Sequence, residues 1–78
     1  MDIRNALLSG MPATSVAQSE GRQAVIEELW DMIGSDLADH ALRAAIALGE
    51  TSVASHAARV IKCSGSYSQS ANDLASHY

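Results

Sequence analysis

The side chains that could ligate a metal are few in this chain, and they are scattered. Three histidines and one cysteine are its only soft metal ligands. Asp36 and His40 lie one helical turn apart, while His56 and Cys63 lie two turns apart in a separate helical pattern. A zinc site needs three or four ligands at close spacing, which neither pair supplies. We therefore expect no bound metal and no cofactor.

The residues that could carry catalysis are equally sparse. A nucleophile needs a neighbouring base and a third group that orients the base. Cys63 with His56 supplies only two of these, and serine pairs arise by chance in so serine-rich a chain. There is no phosphate-binding loop, no nucleophile elbow and no dinucleotide-binding glycine pattern. A domain of 78 residues also has little room for a substrate cleft. The sequence thus predicts a protein that is not an enzyme.

An acidic cluster in the strongest helical segment is the first candidate binding surface. Glu27, Glu28 and Asp31 fall on the side of this segment that is opposite to its apolar stripe. They could present a negative surface to a basic partner, as in regulators and inhibitors of nucleic-acid-binding proteins. The competing interpretation is an ordinary solvated helix face. Trp30 belongs to the apolar stripe by its spacing, so we expect it in the core.

A polar helix face after Gly49 is the second candidate surface. Its Ser, His, Arg and Lys side chains are types that contact phosphates and base edges. Over about 25 residues the arrangement resembles a helix-turn-helix DNA reader. The net charge of −4 and an acidic residue, Glu50, at the start of the helix argue against this reading. The residues it would use are Arg43, Ser52, Ser55, His56, Arg59 and Lys62.

Two alanine-rich helical patterns carry the residues of this second candidate surface, with Arg43 in the first pattern and the others in the second. They span about 36–48 and 52–62 and meet at Gly49. Their small apolar side chains recur on one face, and alanine at a contact lets two helix backbones approach closely. This pattern indicates a tightly packed helical hairpin or a helix-turn-helix. Ser35 is the expected N-terminal cap of the first of the two helices.

The rest of the chain adds shorter helical patterns and no strands. The strongest single helix is predicted at 22–33, and a short first helix at 2–9. Ser15 and Ser19 are candidate helix starts between them. The serine-rich segment 63–78 is predicted either to dock as a short fifth helix or to fray. We therefore predict an all-α bundle of four helices with this optional fifth, forming a single domain over residues 1–78.

The composition adds expectations about assembly and location. The chain has 14 alanines and no phenylalanine, so its core is short of bulky groups and could be completed by self-association into a homodimer. One cysteine cannot form an internal disulfide, which favours a reducing, cytoplasmic location. No apolar run approaches ~18 residues, and no basic–apolar leader opens the sequence, so we expect neither a membrane span nor a signal peptide.

Together these patterns predict a small cytoplasmic module that binds another protein and regulates or inhibits it by occupying its surface. Glu27, Glu28 and Asp31 are its first candidate contacts. One alternative is a helix-turn-helix-like transcriptional regulator that reads DNA with the helix at 52–62. Another is a structural subunit that completes a larger helical assembly. Small acidic helical proteins of this kind occur among bacterial and phage accessory factors, and the sequence assigns no family.

Overall fold

The computed structural model describes residues 2–78, and in that range all regular secondary structure is helical. The prediction of an all-α fold is confirmed. The described residues form six helices, where the sequence predicted four with an optional fifth. They are α1 (Ile3–Leu8), α2 (Ala13–Glu20), α3 (Arg22–Ile33), α4 (Ala38–Leu48), α5 (Thr51–Ser64) and α6 (Gln69–Ala75).

Helix α2 is the element that the sequence pattern did not assign. It begins directly after Pro12, whose carbonyl oxygen accepts hydrogen bonds from the backbone N–H groups of Ser15 and Val16. Ser15 and Ser19 therefore lie inside a helix, not at helix starts. The apolar stripe of α2 is short, with Ala13 and Val16 as its buried residues. Such a stripe gives little periodic signal, and packing stabilises this helix more than its own pattern does.

The hairpin of α4 and α5 forms the centre of the molecule. Gly49 ends α4 in the left-handed conformation, with φ of +73°, and a single further residue leads into α5. The two helices make the most extensive contact between any pair of elements. Both helices carry buried alanines: Ala41, Ala44 and Ala45 on α4, and Ala54, Ala57 and Ala58 on α5. The predicted close-packed hairpin is thus present.

The remaining helices cover this hairpin. Helix α3 packs on α4 and α5 with its buried stripe of Val25, Leu29, Met32 and Ile33. Helices α1 and α2 pack on α3 and α4, while α6 docks on α5 through Ala71 and Ala75. The short fifth helix expected in the serine-rich segment is therefore docked.

The start of α4 differs from the prediction. Ser35 does not cap it, because the backbone passes through a left-handed Asp36, with φ of +63°, before the helix begins. The Ser35 hydroxyl instead donates to the carbonyl oxygen of Asp31 at 3.0 Å. The residue at the cap position is Leu37, which supplies no side-chain hydrogen bond. A local capping rule failed here because the turn between α3 and α4 takes two more residues than the rule assumes.

Arg22 ties the beginning of α3 to the α4–α5 turn. Its guanidinium forms an ion pair with Glu50, with Nε at 2.9 Å, and donates through Nη2 to the carbonyl oxygen of Leu48 at 2.6 Å.

Arg22→Ala is expected to lower the free energy of unfolding by about 1 kcal/mol. The exposed ion pair with Glu50 contributes little by itself, and the hydrogen bond to the carbonyl oxygen of Leu48 adds to its contribution. Urea unfolding measures it. Arg59→Ala, which removes another exposed cation, should change stability by less, and equal losses would contradict this role for Arg22.

Candidate protein-binding site

Trp30 lies at the surface, so the prediction that it belongs to the core is wrong. Its side chain is 44% exposed, the largest exposure of any bulky apolar residue that the structure describes. Its ring centroid lies 5.1 Å from that of His56 on α5, with the ring planes inclined at 52°. Trp30 sits at the edge of the α3 stripe, beside the buried Leu29. At this edge α5 presents a histidine in place of an apolar cover, and the indole therefore meets solvent.

Carboxylates surround the exposed indole. A shallow depression on α3 is lined by Ala24, Glu27, Glu28, Trp30 and Asp31. We call Trp30, His56, Glu27 and Asp31 the Trp30 surface. An exposed tryptophan next to negative charge suits a partner that brings both apolar area and a cation. The predicted acidic contacts therefore lie beside an aromatic residue that sequence reasoning had assigned to the interior.

Arg4 of α1 neutralises part of the acidic cluster. Its Nε lies 2.7 Å from Oε2 of Glu28, and its Nη2 lies 2.9 Å from Oδ2 of Asp31. The hydrogen bond to Glu28 raises the pKa of Arg4, and the charges of Glu28 and Asp31 raise it further, so this cation stays charged. Glu27 instead receives only a long hydrogen bond, 3.5 Å from Nε2 of Gln23. The three predicted contacts thus differ. Glu28 and Asp31 both bond to Arg4, whereas Glu27 has no ion pair with it and is the carboxylate most available to a partner.

The residues of the DNA-reading alternative do not form one surface. Ser52, Ser55, His56, Arg59 and Lys62 are exposed along α5, as the spacing predicted. His56 is engaged by Trp30, and Nζ of Lys62 donates to the backbone oxygen of Tyr78 at 3.1 Å. Arg43 lies elsewhere, on α4 beside the α1–α2 linker. The carboxylates near Trp30 border the α5 face and would repel phosphates.

A groove between the α1–α2 linker and α4 escaped the sequence analysis altogether. It has a volume of about 240 Å³. We call it the α4 groove. Its floor and rim are mostly apolar, and Arg43 and His40 add polar nitrogen groups. The residues that line it include Leu7, Met11, Pro12, Ala44 and Ala47. The sequence separation of some 30 positions between its two walls left no local signal that could have revealed it.

The side chains considered for metal binding and catalysis stay dispersed. Nε2 of His40 lies 3.9 Å from Oδ2 of Asp39, its neighbour in sequence. Cys63 is exposed on α5. Within residues 2–78, no three His, Cys, Asp or Glu side chains converge in a way that could hold a metal ion. None of the helices in that range has the length and apolar character that crossing a bilayer requires.

No protein-family model, curated protein or solved structure matches this chain. The two surfaces described above are therefore the basis for assigning a function. One is aromatic and acidic, and the other is apolar with an arginine at its rim.

Proposed function

We propose that this protein is a non-catalytic module that binds a basic segment of another protein through its Trp30 surface. It would regulate or inhibit that protein by occupying the segment. The observation that carries the proposal is the 44% exposure of Trp30 beside the carboxylates of Glu27 and Asp31. Tryptophan is highly buried on average in folded chains and is enriched among the residues that dominate binding energy. An exposed tryptophan therefore favours a binding role.

Arginine is the partner side chain that fits this surface best. A guanidinium can stack on the face of an indole while its N–H groups bond to a carboxylate in the same plane. Glu27 and Asp31 flank Trp30 on the same helix, and both are exposed. Lysine would gain the charge attraction but could not make two parallel hydrogen bonds to one carboxylate. The partner segment should thus carry arginine together with apolar residues.

The DNA-binding alternative has weaker support. Specific DNA binding depends on cations that displace counterions from phosphates. Arg59 and Lys62 are on α5, whereas Arg43 is on α4, and the α3 surface that flanks α5 is acidic. The paired substitution of Arg59 and Lys62 by Glu separates the two functions. It should leave peptide binding intact, whereas a DNA-binding protein would lose DNA binding and its salt dependence.

A fluorescence titration tests the proposed function. Trp30 is the only tryptophan, so fluorescence excited selectively at the indole, beyond the absorption of the two tyrosines, reports on this surface. The probe is an alanine-based helical peptide of about 15 residues that carries arginines one turn apart. A matched peptide replaces each arginine by citrulline, which keeps the shape and removes the charge. We expect about tenfold tighter binding of the arginine peptide, since a cation–π contact and a charged hydrogen bond together contribute about 1.4 kcal/mol. Equal affinities would refute the proposal.

Removing Arg4 should strengthen this binding. Arg4 occupies Glu28 and Asp31, so a partner arginine must compete with it for Asp31, whose side chain is 74% exposed. Arg4→Ala is expected to tighten the arginine-peptide Kd roughly threefold at low salt, and less at high salt. The same titration measures the change. Lys62→Ala makes the same change in net charge outside both the Trp30 surface and the α4 groove and should have a smaller effect. Weaker binding by Arg4→Ala would mean that Arg4 orients the carboxylates for the partner.

A further inference from the structure

The two surfaces of this molecule complement each other. We infer that the α4 groove of one copy takes the Trp30 surface of a second copy, so that the protein self-associates head to tail. This inference rests on the Trp30 surface being a binding surface, as proposed above. It adds the identity of one occupant, a second copy of this chain.

The α4 groove has room for an aromatic side chain and suitable chemistry to hold it. Ala44 and Ala47 leave space along α4, and the groove volume is about 240 Å³. Met11 lies at its rim and is 38% exposed, which is high for so large an apolar side chain. A methionine thioether makes favourable contacts with aromatic rings and adapts to an irregular partner. Trp30 and Tyr78 are exposed to similar extents, 44% and 43%, and the indole of Trp30 offers the larger apolar area to fill such a groove.

The charges of the two surfaces are opposite. Arg43 is exposed at the groove, and among the described residues it takes part in no ion pair. Glu27 is exposed beside Trp30 and lacks an ionic partner in the same set. Seating Trp30 in the groove would bring these two side chains to the same contact, where an arginine–carboxylate pair is favourable. Pairing two Trp30 surfaces would instead bring like charges together, which is unfavourable.

The symmetry of the contact follows from the positions of the surfaces. The α4 groove is built by the α1–α2 linker and α4, whereas the Trp30 surface is built by α3 and α5. Each molecule therefore has both halves of the contact, and using one half leaves the other exposed. Such a heterologous contact continues into a ring or an open chain and does not stop at a two-fold dimer. The homodimer predicted from composition is then replaced by a larger species.

A mixing experiment tests this inference. Arg43→Glu removes the groove's cation but keeps the Trp30 surface, and Trp30→Ala removes the indole but keeps the groove. Sedimentation velocity over a range of concentrations should show species larger than a dimer for the unmodified chain. Each variant alone should be monomeric. Their equimolar mixture should form a dimer and nothing larger, because only one productive contact is possible.

Controls separate this contact from loss of folding and from the proposed function. Lys62→Glu makes the same charge change on α5 and should self-associate as the unmodified chain does. Arg43→Glu should keep its helical circular dichroism and should still bind the arginine peptide. If the arginine peptide does not bind but the mixture still forms a dimer, the inference of self-association is retained and the proposal of a basic partner segment is refuted.

Three outcomes would overturn the inference. They are a chain that stays monomeric at every concentration, a dimer that persists in Arg43→Glu alone, and an equimolar mixture that stays monomeric.

Discussion

Trp30→Ala is expected to weaken binding of the arginine peptide roughly 30-fold, which corresponds to about 2 kcal/mol. The indole supplies both the apolar contact area and the π face for the cation, so its removal eliminates the main attraction. Because the side chain is nearly half exposed and is not part of the buried core, the loss of stability should be smaller than for a fully buried tryptophan. Since this variant has no tryptophan, isothermal titration calorimetry measures the affinity of both proteins.

A matched control tests whether the loss of any exposed apolar side chain would weaken peptide binding. Leu8 is 39% exposed and lies on α1, outside the Trp30 surface. Leu8→Ala should bind the peptide as the unmodified chain does. Trp30→Phe keeps an aromatic face with a weaker attraction for cations, so its affinity for the peptide should lie between those of the unmodified chain and Trp30→Ala. Unchanged affinity in Trp30→Ala would contradict the assignment of this surface.

Ala57→Leu is expected to destabilise the protein by about 1–3 kcal/mol. Ala57 is fully buried on α5, whose most extensive contact is with α4, and three added carbon atoms there would displace the helices packed around it. The effect is large for a chain of this size, whose total stability should be about 4–12 kcal/mol by the usual per-residue range. Urea unfolding followed by circular dichroism at 222 nm, the usual helix band, measures the change.

The control for this prediction makes the same substitution on the surface. Ala24 lies exposed on α3, so Ala24→Leu adds the same atoms without crowding a contact. Its free energy of unfolding should stay within about 0.5 kcal/mol of the unmodified value. Equal effects at the two positions would show that the hairpin contact is loose. A non-cooperative transition in the unmodified chain would instead favour the alternative of a subunit that folds only within a larger assembly.

The helices themselves could largely be predicted from the sequence, because their signals are local. Apolar side chains at helical spacing predicted α3, α4 and α5, and Gly49 indicated the turn of the hairpin. The alanines on facing sides of that turn predicted close packing, which the structure has. The missed helix α2 has a short apolar stripe and begins directly after Pro12, so its own pattern was too weak to assign.

The candidate site was predictable only in part. The spacing placed Glu27, Glu28 and Asp31 on the solvent side of α3, and the sequence alone could establish that much. It could not show that Arg4 would reach across from α1 to Glu28 and Asp31, since those contacts span 24 and 27 positions. The α4 groove could not be predicted from the sequence for the same reason. Groups far apart in sequence meet only when helices dock.

Trp30 illustrates the division between sequence and tertiary structure. Helical periodicity determines the direction in which a side chain leaves its own helix, and it placed Trp30 within the apolar stripe, whereas in the structure Trp30 lies at the edge of that stripe. Whether that edge is covered depends on the neighbouring helix and on how closely it packs. The small alanines of α4 and α5 draw that hairpin tightly together, and α5 brings His56 to this edge of α3. The sequence thus determined the helices and the close hairpin, whereas docking decided that the tryptophan would face solvent, because burial depends on neighbours that no local pattern specifies.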